Sequence, residues 1–228
     1  MKASLTNNQL KIIALVAMTV DHIGVVLFPD NVLFRIIGRI SFPVFAYMIA
    51  EGCKYTKNRK RYLAVIAGEA LACQLVYIVA ERSFYMNIFV TFSLSIALIY
   101  LADKAVKDKK LYLYAAVAVT VLAVYFICEI APKILSDTDF AVDYGFFGVL
   151  MPAVIYFTKE EKRLKLISVF AMCVLLSLSF GNIQYFSVFS VLLLALYNGE
   201  RGKRNIKYLF YVYYPLHLVL IYLISFII

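Results

Sequence analysis

Long apolar runs, separated by short polar loops, recur along the whole of this chain. They can be delimited at 11–28, 32–52, 62–80, 87–102, 111–130, 145–158, 164–180, 184–198 and 207–227. A helix needs about 20 mostly apolar residues to cross the hydrocarbon layer of a bilayer. The 228 residues are 64% hydrophobic, whereas soluble domains lie near one half. The sequence therefore predicts an all-α, polytopic transmembrane bundle of about nine helices, forming a single domain over 1–228. The span at 145–158 is short, and we expect it either to begin earlier or to be partly re-entrant.

Basic residues alternate between the two sides of this predicted bundle. With nine crossings, one side carries 19 of the 23 Lys and Arg residues, clustered at 2–11, 54–61, 104–110, 159–165 and 201–207. Cytoplasmic loops carry an excess of Lys and Arg. We therefore expect a cytoplasmic N-terminus and a plasma membrane location, in keeping with a bacterial inner membrane. The net charge of +9 then reflects topology, and nucleic-acid binding is not indicated.

The first ten residues are polar and no small-residue cleavage site follows the first apolar run, so that run is predicted to be a permanent helix. The four cysteines, at 53, 73, 128 and 173, are scattered without a CxxC pair. They are typical of small apolar packing residues rather than of a metal site or a disulfide framework. We expect no metal.

The chain has two histidines, one near each end. His22 lies eleven residues beyond Lys11, roughly 16 Å along a helix, and His217 lies ten residues beyond Lys207, roughly 15 Å. Both belong to helices that run in the same direction, so we expect them at matched depth. Imidazole is the natural proton acceptor near neutral pH. The alternative is that each ring only bonds a neighbouring helix.

Charged residues accompany these histidines at membrane depth. Arg35 and Arg39 are four residues apart and share a helix face. An arginine stays charged at any depth, so Arg39 needs a counter-charge, and Asp21 is the nearest candidate. Arg35 either joins that face or extends toward the surface. Pro43 is expected to kink this helix.

Several motifs resemble those of the TraX family of membrane proteins. They are MTVDHIG at 18–24, FPVFAYMIAEG at 42–52, DYGFFGVL at 143–150, ALYNGERG at 195–202 and FYVYYPLH at 210–217. The family takes its name from a conjugation protein needed for N-terminal acetylation of F-type pilin, and it is similar to polytopic acyltransferases that acetylate sugars. The resemblance implies transfer of an acetyl or acyl group from acyl-CoA to an amine or hydroxyl.

By motif, the resemblance implies functional positions at Asp21, His22, Arg39, Glu51, Asp143 and His217. We assign Asp21, His22, Arg39 and His217 to catalysis. The residues assigned to substrate or cofactor binding, in or beside these motifs and the basic loops, are Arg35, Glu51, Tyr55, Arg59, Asp143, Tyr144, Asn198, Arg201 and Tyr214. Two local alternatives stay open: an interfacial salt bridge for Glu51, and a helix cap for the Asp143 segment.

Acyl transfer from a thioester needs a base for the acceptor and a donor or cation for the developing oxyanion. Either histidine is the expected base, with the other orienting substrate or moving the proton. Arg39, held by Asp21, would stabilise the thioester carbonyl or anchor the acceptor. The phosphates of acetyl-CoA or another acyl-CoA should meet the basic loops at 57–61 and 201–204. The acceptor, a peptide N-terminus, sugar or glycolipid, would approach from outside.

Two other classes of protein compete with the enzyme. Histidine and arginine inside a bundle also suit a proton-coupled transporter or flippase of small polar or lipid-linked solutes. The chain has no visible internal repeats, and many transporters are built from repeats. A helical scaffold that only organises partners in the lipid bilayer would leave the buried charges without a role.

Overall fold

The computed structural model describes residues 4–203 and 207–227, which form nine helical runs. These described residues contain no β-strand, only two isolated bridges, Leu5 with Tyr197 and Met86 with Val142. The helices are α1 (Asn7–Leu27), α2 (Val32–Gly38), α3 (Ser41–Tyr55), α4 (Arg59–Glu81), α5 (Ile88–Asp108), α6 (Leu111–Tyr125), a π-helix (Phe126–Ile130), α7 (Ala131–Ile134), α8 (Gly145–Phe157), α9 (Lys162–Phe180), a 3-10 helix (Asn182–Phe189), α10 (Ser190–Ala195) and α11 (Lys207–Ser225). The predicted all-α, multi-pass architecture is confirmed.

Six of the helical runs are long and apolar enough to cross a bilayer. They are Asn7–Leu27, Val32–Tyr55, Arg59–Glu81, Ile88–Asp108, Leu111–Ile134 and Lys162–Phe180. Three further runs are apolar but shorter, at Gly145–Phe157, Asn182–Ala195 and Val212–Ser225. The cytoplasmic position of the N-terminus stays a prediction.

The second run is broken between α2 and α3, at Arg39 and Ile40. The break lies one turn before Pro43, as expected of a kink that this proline causes. A proline ring conflicts with the carbonyl four residues earlier, and here that carbonyl belongs to Arg39. Pro43 itself lies in the first turn of α3, where its missing N–H is tolerated. The break positions the Arg39 side chain at a helix end.

Two other runs depart from regular α-helix. Residues 126–130 widen into a π-helix just before Pro132, which again lacks the N–H that the preceding turn would use. The predicted span 184–198 is not a regular α-helix, because Asn182–Phe189 has 3-10 geometry and α10 adds only six residues. Side chains three apart eclipse each other in a 3-10 helix, so Gln184 and Ser187 lie on one face.

The described chain divides into two compact units. One comprises residues 4–48, 158–203 and 207–227, and the other comprises Ile49–Phe157. In the first unit, α1 packs against both α2 and α11, and the 3-10 helix packs against α2 and α9. In the second, α5 packs against α4, α6 and α8. All four cysteines are free and buried, as expected of packing residues.

Candidate active site

The two histidines meet in the first unit, on the contact between α1 and α11. Nδ1 of His22 lies 2.7 Å from Nε2 of His217. The rings are nearly parallel, with centroids 5.0 Å apart and planes 20° apart. The two histidines, which helix rise predicted to lie at the same depth, are thus in direct contact.

Hydrogen bonding determines which nitrogen of this pair keeps a lone pair. Nδ1 of His217 lies 3.0 Å from the carbonyl oxygen of Tyr213. A carbonyl oxygen only accepts, so this nitrogen carries the hydrogen and Nε2 of a neutral His217 is an acceptor. His22 then donates from its Nδ1, which leaves its own Nε2 as the nitrogen with a lone pair. His217 is 4% exposed and His22 is half-buried.

Two tyrosines of the YYPLH segment enclose the histidine pair. The Tyr213 ring stacks on His217 with centroids 5.2 Å apart, and its hydroxyl lies 2.9 Å from that of Thr19. Tyr214 meets both imidazoles edge to face, at 5.9 Å from His22 and 5.1 Å from His217. These contacts fix the ring orientations. Tyr214 was among the predicted binding residues, whereas Thr19 and Tyr213 were not.

One carboxylate holds two guanidinium groups beside the histidine pair. Nη2 of Arg39 donates to Asp21 at 2.7 Å and 3.0 Å, to its two oxygens, and Nη1 of Arg35 donates to it at 2.8 Å. The predicted partner of Arg39 is confirmed. Arg35 also joins this ion pair instead of extending away from it. Two positive groups around one negative group leave a local charge of +1, which favours negative charge nearby.

Gln184 also bonds Arg39 and was not predicted. Its Oε1 accepts from Nη1 of Arg39 at 3.2 Å, and Nε of Arg39 donates to the carbonyl of Arg35 at 3.2 Å. The Gln184 side chain is almost fully buried. An amide inside an apolar run is the sequence signal that would have found it, because such groups need partners in lipid.

Asp21 and His22 project in different directions because consecutive helical residues are about 100° apart. Asp21 therefore reaches α2, whereas His22 reaches α11. Close helix packing supports this arrangement. A Cβ at Gly24 would overlap the side chain of Phe34 on α2, so glycine lets α1 and α2 approach, as small residues do between membrane helices.

Three predicted binding residues lie in the second unit, at the end of α3 and the start of α4. Glu51 is buried and Tyr55 is exposed. Arg59 donates to Asp103 at 2.6 Å, and its guanidinium lies 5.0 Å from the centre of the Tyr100 ring. The side chain of Arg59 therefore already has a carboxylate partner within this unit.

Asp143 and Tyr144 lie in the loop before α8, also in the second unit. The Tyr85 hydroxyl donates to the Asp143 carboxylate at 2.7 Å. Burial, reinforced by that carboxylate, raises the pKa of Tyr85 far above its usual range. The N–H of Phe146, in the first turn of α8, donates to Glu129 at 3.1 Å. A carboxylate from the π-helix thus accepts from the first turn of α8, the helix start that the Asp143 segment would cap in the alternative interpretation.

Asn198 and Arg201 lie in the loop before α11, in the first unit. Asn198 accepts from the N–H of Glu200 at 2.9 Å, and the N–H of Asn8 donates to the carbonyl of Arg201 at 3.2 Å. The loop therefore lies against the start of α1. Arg201 and Lys203 are exposed there, whereas Arg204, part of the predicted phosphate-binding loop, is outside the described residues.

Comparison with known proteins agrees with this architecture. The TraX protein family matches residues 6–225, nearly the whole chain. The chain belongs to the TraX family. No solved structure matches it.

Two curated proteins resemble part of this TraX-family chain. An uncharacterized protein of Rickettsia prowazekii (strain Madrid E) is 45% identical over 60 residues, which are 25% of this chain and 24% of that protein. A probable fimbrial assembly protein of serogroup H1 of Dichelobacter nodosus is 32% identical over 59 residues, 24% of each chain. The matched stretch spans about a quarter of the length of these relatives.

Proposed function

We propose that this TraX-family protein is a membrane-embedded acyltransferase that moves an acetyl or acyl group from acyl-CoA to an amine or hydroxyl. The observation that carries the proposal is the chain of contacts from the Tyr213 carbonyl through His217 to His22. The Tyr213 carbonyl holds His217 by its Nδ1, and Nε2 of His217 holds His22 by its Nδ1. Nε2 of His22 is left with a lone pair, as a general base requires.

In the proposed reaction, Nε2 of His22 takes the proton of the acceptor N–H or O–H. The acceptor nitrogen or oxygen attacks the thioester carbonyl carbon and forms a bond to it. The carbon–sulfur bond then breaks, and the departing thiolate takes the proton back from His22. The products are the acylated acceptor and free coenzyme A, and the base returns to its starting state. His217 acts as a positioning residue.

Negative charge develops on the carbonyl oxygen during this attack, and a preorganised positive environment lowers its free energy. The cluster of Arg35, Arg39 and Asp21 carries a net positive charge. Asp21 holds the Arg39 guanidinium in place, so little reorganisation accompanies the reaction. An anchoring contact between this cluster and the acceptor would use the same charge.

The acyl-CoA phosphates are proposed to bind basic side chains at the cytoplasmic ends of the helices. In the first unit, exposed Arg201 and Lys203 lie in the loop against the start of α1. His22 lies eleven residues beyond Lys11 on that helix, roughly 16 Å by helix rise. The pantetheine arm of acyl-CoA would extend over this distance from the bound phosphates to His22.

The acceptor is proposed to approach from the other side, as a peptide N-terminus, a sugar or a glycolipid. One of the partly matching relatives is called a probable fimbrial assembly protein. That name supports a surface polypeptide as one acceptor class to test first.

The test uses protein purified into lipid nanodiscs, labelled acetyl-CoA, and two acceptors, a peptide with a free N-terminus and an amino sugar. We expect labelled product with the wild type and a loss of about 10²-fold or more with His22→Ala. Arg39→Ala and His217→Ala should also lose activity. Thr120→Ala, on α6 in the second unit, is the control because its hydroxyl only bonds the carbonyl of Ala116.

Two outcomes would contradict the proposal. Transfer that survives both histidine substitutions would remove the proposed base. Solute or proton flux in proteoliposomes, without acyl transfer, would identify the competing transporter function.

A further inference from the structure

The amide nitrogen of Gln184 is a buried donor without a partner. Gln184 is 2% exposed, and its Nε2 has no hydrogen-bond acceptor among the described residues. Leaving such a group unpaired costs free energy, because the donor gives up its hydrogen bonds to water without replacing them. A buried, unpaired donor inside a site is therefore a position where a ligand atom completes the hydrogen bonding.

The orientation of this amide follows from its neighbour. The guanidinium of Arg39 has only donors, and it lies 3.2 Å from Gln184. The atom facing it must be the amide oxygen, because nitrogen would place two donors against each other. The two N–H groups of Nε2 are therefore left for something that accepts.

Arg39 is already engaged by several acceptors. Its Nε donates to the carbonyl of Arg35, its Nη2 to the carboxylate of Asp21, and its Nη1 to Gln184. The guanidinium supplies positive potential and orients the amide. The amide adds N–H groups that no described residue accepts.

From these contacts we infer that Nε2 of Gln184 donates a hydrogen bond to the thioester carbonyl oxygen of the bound acyl donor. This rests on the proposed acyltransferase function and assigns the oxyanion donor within it. The carbonyl oxygen gains negative charge as the acceptor attacks, so the hydrogen bond strengthens toward the transition state. The net positive charge of the adjacent arginines acts in the same direction.

Two substitutions separate the donor from the rest of the side chain. Gln184→Glu keeps an oxygen for Arg39 and removes both N–H donors, whereas Gln184→Met keeps the length and removes both functions. Ser187→Ala is the matched control. Ser187 lies one 3-10 turn away, is fully buried, and its hydroxyl also has no partner among the described residues.

The first readout is kinetic. We expect kcat to fall by about 10²–10³-fold in both Gln184 variants, as for other single oxyanion donors. The Kd for acetyl-CoA should change much less than kcat, because the hydrogen bond is already present in the bound donor and strengthens in the transition state. Ser187→Ala should retain kcat.

The second readout does not depend on turnover. The infrared carbonyl band of bound acetyl-CoA, labelled with ¹³C at the carbonyl, should lie lower in the wild type than in Gln184→Met, because a hydrogen bond weakens the C=O bond. Ser187→Ala should keep the wild-type band.

The two readouts distinguish the failures. A carbonyl band that is the same in wild type and Gln184→Met overturns the inference, even when transfer occurs. A Gln184-dependent band in a protein that transfers no acyl group supports the donor and contradicts the proposed function. A fall in kcat that accompanies lower thermal stability, with an unchanged band, makes Gln184 a purely structural residue and also overturns the inference.

Discussion

Gly38 faces Asp21 so closely that a Cβ at position 38 would overlap the aspartate side chain. The carboxylate that holds both arginines thus crosses the bare backbone of α2 to reach them. No larger residue leaves that path open. The position of the charge cluster depends on a glycine that itself carries no charge.

Gly38→Ala should therefore displace Asp21 and weaken its bonds to Arg35 and Arg39. We expect a loss of about 1–3 kcal/mol in the free energy of unfolding, the usual cost of inserting a methyl group into a packed site, together with reduced acyl transfer. Gly68→Ala is the control, because a Cβ there meets nothing within 4 Å. Thermal unfolding in detergent compares the stabilities of the two variants. Equal melting temperatures for the two variants would contradict the close approach.

Removing the shared carboxylate should cost more than removing either arginine. Asp21→Asn leaves two guanidiniums without a counter-charge in a partly buried site, and breaking such a pair costs about 3–5 kcal/mol. The double variant Asp21→Asn with Arg39→Gln should be less unstable than the single one. Asp30→Asn, an exposed carboxylate in the turn after α1, is the control. If Asp21→Asn were as stable as Asp30→Asn, the ion pairs of Asp21 would not be structurally important.

The two histidines should differ in importance. His22→Ala removes the proposed base and should lower kcat by about 10²–10⁴-fold. His217→Phe keeps a ring between Tyr213 and Tyr214 but cannot accept from His22, so it should lower kcat less and change the pH dependence of the remaining activity. Single-turnover rates in nanodiscs give both values. A larger loss with His217→Phe than with His22→Ala would assign the base to His217 instead.

The helical runs and the depth of the histidines were predictable because both follow from local properties. Apolar length defines a membrane helix, and a constant rise converts the spacing from Lys11 to His22 into a depth. Contact between His22 and His217 could not be predicted from local properties alone, because 195 residues separate them. Matched depth made the contact plausible, and only the packing of α11 on α1 produces it.

What the sequence did not reveal lies where backbone geometry departs from an ideal helix. Pro43 breaks the helix at Arg39, because its ring acts on the carbonyl four residues before it. The 3-10 geometry of residues 182–189 presents Gln184 to Arg39. Neither consequence follows from hydropathy, although the isolated amide was a visible signal.

A carboxylate outside the membrane spans should make stability depend on pH. The Ser83 hydroxyl and the N–H of Phe84 donate to Asp139, which lowers the pKa of that carboxyl. Its contribution is therefore present above the unfolded pKa of about 4 and is lost as pH falls through the lower, folded value. The melting temperature of Asp139→Asn should be below that of the wild type at pH 6 and converge with it in acid. Asp137→Asn, exposed in the same loop, is the control, and a gap that persists unchanged into acid would contradict the assignment.

Single cysteines test the predicted orientation. The four native cysteines are buried, so a membrane-impermeant maleimide should label the wild-type protein very little. Lys57 and Asp137 are both exposed in loops, and three membrane-length runs separate them along the chain, Arg59–Glu81, Ile88–Asp108 and Leu111–Ile134. An odd number of crossings puts them on opposite sides, and the excess of basic residues puts Lys57 in the cytoplasm. Asp137→Cys should label in intact cells, whereas Lys57→Cys should label only in inverted vesicles. The reverse pattern would invert the chain and bring the basic loops to the outer surface, away from cytoplasmic acyl-CoA.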